Sequence, residues 1–77
     1  MATATREQLQ QILHVRFGGR SLDVPLNGLD LSNQSPDREV KHRLAAYLEV
    51  APRALDPYVV DRHENGNLTV RPEAVFG

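Results

Sequence analysis

Two stretches of strict apolar–polar alternation flank a glycine pair, and that arrangement confines the first third of the chain to one local structure. Leu13-His14-Val15-Arg16-Phe17 precedes Gly18-Gly19, and Arg20-Ser21-Leu22-Asp23-Val24-Pro25-Leu26 follows it. Period two is the periodicity of a strand, and a glycine pair supplies the two positive-φ residues of a tight hairpin turn. A two-residue loop pairs Phe17 with Arg20, Val15 with Leu22 and Leu13 with Val24, which gathers the apolar residues on one face. His14 then falls opposite Asp23, and Arg16 opposite Ser21, on the other. A slip of one residue would mix the faces, so the register is strongly specified. Pro25 has no N–H to give to a ladder, which marks the second strand as an edge.

Asn27-Gly28 signals a turn and a loop through Asn33. Ser35-Pro36-Asp37 then reads as a helix start, with Ser35 as cap, Pro36 in the first turn and Asp37 at the positive end of the dipole. Val40, Leu44, Tyr47, Leu48 and Ala51 recur at helical spacing as one apolar stripe. Arg38, Glu39, His42, Arg43 and Glu49 make the opposite, solvated face. Pro52 stops the helix at about Val50, and Leu55 anchors the connector that follows. A second hairpin runs from Tyr58 to Arg71. Asn65-Gly66 by itself suggests a two-residue loop, but that register pairs Asp61 with Val70. A three-residue loop, Glu64-Asn65-Gly66 with Gly66 left-handed, pairs Val60 with Val70 and Asp61 with Thr69 and keeps the faces separate. Tyr58, Val60, Leu68 and Val70 then point inward.

Hairpin, helix, hairpin is an α+β order, ββαββ. One apolar stripe must cover one apolar sheet face, and the right-handed crossover rule favours a four-stranded mixed sheet with the first and last strands parallel in the middle. From Ile12 to Phe76 this arrangement resembles the β-grasp, or ubiquitin-like, fold. The resemblance rests on element order and hairpin placement. It implies partner binding through the exposed sheet face. The stretch from Asp61 to Pro72 also resembles small proteins found in cyanobacteria, from which no activity follows.

With 77 residues the chain reads as a single domain, with an ordered part from about 12 to 76 and a thin core. Thr5-Arg6-Glu7-Gln8 matches a capping box for a short helix, though a frayed terminus over residues 1–10 is the favoured reading. There is no cysteine, so disulfides, thiol nucleophiles and thiolate metal sites are excluded. The start, Met1-Ala2-Thr3-Ala4-Thr5, has no basic, apolar leader pattern, and no apolar run reaches spanning length. A cytoplasmic protein without membrane attachment is the expectation. A net charge of −1 gives no field for nucleic acid. Eight of the nine basic residues are Arg, a skew that codon usage accounts for, although Arg also suits bidentate contacts.

His14, His42 and His63 fall on different elements without ligand spacing, so no metal and no cofactor is expected. No nucleophile, base and orienter share a cleft, so the chain is read as non-enzymatic. The outer sheet face carries His14, Arg16, Ser21, Asp23, Asp61, Thr69 and Arg71, with Ile12, Pro25 and Val59 among them. The candidate binding residues are His14, Arg16, Asp23, Asp61, Arg62, His63 and Arg71, facing a protein partner; a monomer or a weak homodimer through an open strand edge is expected. Stacking on RNA wants exposed aromatics, and Phe17, Tyr47 and Tyr58 are all assigned to the core. The final Gly77 resembles the terminus of β-grasp sulfur carriers, which implies a carboxylate that can be adenylated and thiocarboxylated. Those carriers end in Gly-Gly, whereas Phe76 stands in the penultimate place here.

Overall fold

The glycine turn forms as the alternation requires. In the computed structural model, which describes residues 11–73, β1 (Ile12–Phe17) and β2 (Arg20–Pro25) pair antiparallel. The pairs are Phe17 with Arg20, Arg16 with Ser21, Val15 with Leu22, His14 with Asp23 and Leu13 with Val24. Gly18 and Gly19 take φ of 59° and 79°, the sign that a primed hairpin turn demands. Leu26 N–H donates to Gln11 O at 2.9 Å, extending the ladder into a short 3-10 turn, Leu26–Leu29.

The helix α1 (Asp37–Leu48) differs from expectation at both ends. Ser35 does not cap it. The Ser35 hydroxyl accepts the Ser32 N–H at 2.9 Å, a local turn that competes with the cap, as Ser side chains often do. Pro36 occupies the cap position without a side-chain hydrogen bond. At the other end Glu49, at φ 61°, closes the helix three residues before Pro52. Glu49 N–H donates to Ala46 O at 3.2 Å and Val50 N–H to Ala45 O at 3.0 Å. These are the two bonds of a Schellman motif, so the C-terminal carbonyls are satisfied before proline is reached.

After a second 3-10 turn, Pro52–Leu55, β3 (Tyr58–Arg62) and β4 (Leu68–Pro72) pair antiparallel, Val60 with Val70 and Asp61 with Thr69. This is the register of the three-residue loop. His63 N–H donates to Asn67 O at 2.9 Å across it, and Gly66 has φ 92°. Glycine also leaves room for the Gln11 side chain, which would have to move if a Cβ were added. The neighbouring Asn67 accepts the Ile12 N–H through Oδ1 at 2.9 Å. The loop entering β4 is thereby pinned to the start of β1.

The strand order is β2-β1-β4-β3, with β1 and β4 parallel at the centre and the other pairs antiparallel. Among the described residues this is a four-stranded, open, mixed sheet with one helix. The inner face supplies Leu13, Val15, Leu68 and Val70, which cluster with Val40, Leu44 and Ala45 of α1 and with Leu26, Leu31 and Leu55 of the connectors. Leu55 is fully buried, the anchor its position suggested. Phe17 and Tyr58 sit with ring centroids 5.5 Å apart at an edge of this cluster. Two members of the expected helix stripe are not in it. Tyr47 is 54% exposed and Ala51 lies past the helix end, exposed. The helix turns Ala45 inward instead, because a short helix over four strands buries a narrow stripe. No helix among the described residues is long and apolar enough to cross a membrane.

Candidate functional site

Alternation that sends Leu13, Val15, Leu68 and Val70 inward sends the intervening residues outward. Four strands then align the outward residues in rows. His14 pairs with Asp23 on one side and with Thr69 on the other, and Thr69 pairs with Asp61. The central row therefore reads Asp23, His14, Thr69, Asp61 across β2, β1, β4 and β3. It is a polar row that sequence spacing alone could draw only as two separate halves.

Side-chain contacts hold this row in place. His14 Nδ1 lies 2.8 Å from Asp23 Oδ1. An ionised carboxylate only accepts, so Nδ1 is the donor in this contact. His63 reaches back from the loop, with Nε2 2.8 Å from Thr69 Oγ1. Arg71 Nε donates to Asp61 Oδ2 at 2.6 Å. The Arg71–Asp61 pair is about 40% exposed on both sides, and His14–Asp23 more so. In such solvent-exposed settings each pair contributes at most about 1 kcal/mol. Their consequence is geometric: five of the seven candidate binding residues, His14, Asp23, Asp61, His63 and Arg71, make a polar lattice of short side-chain contacts on one surface.

Arg16 and Arg62 stand apart from that lattice. Arg62 shares the parity of Val60, so it starts from the helix side of the sheet. Its guanidinium donates to Asn33 O at 2.9 Å, to Ser35 O at 2.6 Å and to Asp37 Oδ1 at 2.5 Å. These contacts tie the end of β3 to the entry of α1. Arg16 lies one step beyond the Val15–Val70 pair, beside Arg71 on the neighbouring central strand. Arg16 and Arg71 line a concavity of about 400 Å³ with Gly18, Gly19, Arg20, Ser21 and Pro72. Arg20 is the residue that sequence reasoning passed over. Its parity assigns it inward, but it stands at the end of the sheet, where the turn leaves it exposed. The Gly-Gly turn beside it was the available signal.

The described residues contain no group of three His, Cys, Asp or Glu side chains placed to hold a metal ion. His42 lies on the exposed face of α1, away from His14 and His63. Gly77, with Val75 and Phe76, lies outside the described residues, as do residues 1–10. A comparison with family models finds no match to this chain, and comparisons with curated proteins and with solved structures find none either.

Proposed function

We propose that this chain is a non-enzymatic, β-grasp-like interaction module of the cytoplasm that binds a protein partner through the outer face of its sheet. The observation that supports this reading is the ordered polar row Asp23–His14–Thr69–Asp61, braced by His63 and Arg71. The helix and the buried residues of both connectors join the inner face, which leaves the outer face to side chains that are exposed or half-buried. A surface whose polar groups are already oriented loses little side-chain entropy when a partner arrives. The element order and the parallel central strands are those of the β-grasp resemblance, whose members bind partners on this face.

The test is capture from native lysate with an N-terminal tag and a free C-terminus, comparing the native chain with the Arg16→Ala, Arg71→Ala double variant. The native bait should retain a defined protein at unchanged bait mass. The double variant should lose it while keeping its circular dichroism spectrum. Equal capture by both would overturn the assignment to this face. A sulfur or isopeptide adduct on Gly77 would replace it with a carrier function.

A further inference from the structure

The end of the sheet at the Gly-Gly turn has a chemistry of its own. Arg16 and Arg71 are the residues that follow the Val15–Val70 pair on the two central parallel strands, and like charges close together on neighbouring strands oppose each other. Asp61 offsets this for Arg71. Arg16 and Arg20 have no ion-pair partner among the described residues. All three arginines line the same concavity, and among the described residues no acidic side chain lines it with them. Three guanidiniums set against one carboxylate leave about two positive charges at one spot, on a chain whose net charge is −1.

We propose that this concavity is a phosphate-binding site. A phosphate monoester carries a charge of about −1.5 to −2 near neutral pH and three acceptor oxygens, which matches the local charge. Guanidinium is the side chain best shaped for phosphate, since its fork donates two parallel hydrogen bonds. Ser21 adds a hydroxyl donor to the lining. Gly18 and Gly19 leave one wall without side chains, and the space where their Cβ atoms would sit is open. A volume of about 400 Å³ admits a phosphate with a small substituent. The site goes beyond the protein-interaction reading and stands without it, because phosphate can be bound with no protein partner present.

The test is titration of the isotope-labelled chain with inorganic phosphate at constant ionic strength, followed by NMR. The amides of Gly18, Gly19 and Ser21 and the Nε–H groups of Arg16 and Arg71 should shift together and saturate. Arg16→Ala and Arg20→Ala should each weaken binding roughly tenfold or more, as loss of a charged hydrogen bond does, with the remaining spectrum unchanged. Arg53→Ala, remote from the concavity, should leave the affinity as it was. Parallel titration with phosphoserine identifies the source: tighter binding than phosphate assigns an ester, equal binding assigns the free ion, and both uphold the site. Shifts that never saturate would overturn the proposal. So would equal responses at Arg38 and Arg53, or acetate saturating the same amides as strongly as phosphate. None of these readouts involves lysate capture, so failure here leaves the protein-interaction reading standing, and the reverse holds too.

Discussion

Glu49 holds a left-handed backbone conformation, φ 61° and ψ 43°, that L-residues with a Cβ resist by about 1–2 kcal/mol. The chain accepts this cost because the two Schellman bonds behind it satisfy the last helical carbonyls and turn Val50 toward the core. Glycine would make the same bonds without the steric penalty, less the entropy it loses on folding. Glu49→Gly should therefore raise the unfolding free energy by about 0.5–1 kcal/mol, read as a higher urea midpoint at unchanged slope. A lower midpoint would mean that the Glu49 side chain contributes something its exposure hides. Gly66 is the opposite case, a position where glycine is already present, where φ 92° strains any residue with a Cβ and where the Gln11 side chain would have to move aside for one.

Among the elements, α1 is the one least able to stand alone. It has 12 residues, near the length at which isolated helices are marginal in water, and its N-terminus has no side-chain cap. Asp37 and Glu39 favour the positive end of its dipole, and Arg62, which only donates and so cannot cap the free N–H groups, instead ties down the loop that enters the helix. From the end of β3 it binds two carbonyls of the incoming loop and the Asp37 carboxylate. These contacts are substantially exposed, so Arg62→Ala should cost only about 1 kcal/mol of global stability. The sharper effect is local: amide exchange over residues 35–40 should speed up, while exchange in β1 and β4 follows global unfolding. Arg62→Lys should fail to restore protection, because an ammonium cannot reproduce the planar fork. Uniform acceleration across the sheet would instead make Arg62 a general stabiliser.

At the scale of the molecule, ten buried residues among those described form one cluster drawn from β1 and β4, from the helix and from both connectors. Leu68 and Val70 on β4 meet Leu13 and Val15 on β1 at its centre. Removing a buried leucine side chain costs about 2–5 kcal/mol. That is comparable with the whole stability of a domain this small, about 5 kcal/mol at the low end of the usual range. Leu68→Ala should therefore lose cooperative thermal unfolding or lower its midpoint by more than any surface variant, measured by circular dichroism. A shift no larger than that of Arg62→Ala would mean that the helix and sheet are not held by this cluster.

The sequence by itself determined both hairpins, with their registers and turn lengths, because strict alternation around Gly18-Gly19 and around Gly66 allows one pairing that keeps the faces apart. It also determined the existence of the helix and the roles of Leu55 and Pro25, since burial and the missing proline N–H act locally. The ends of the helix were decided by local turns that periodicity does not reveal. Ser35 had a competing partner in Ser32, and Glu49 adopted a conformation that no propensity favours. Tyr47 looked like core by spacing, but four strands offered room for a narrower stripe. The candidate site divides in the same way. The His14–Asp23 pair was legible within one hairpin. The row that continues through Thr69 and Asp61 depends on pairing between β1 and β4, strands separated by about two thirds of the chain, while Arg20 is left exposed by the turn at the end of the sheet and Arg62 is drawn to the helix entry by Asn33, Ser35 and Asp37. Periodicity carries information over a few residues, and only the packed sheet brings together side chains that distant in sequence.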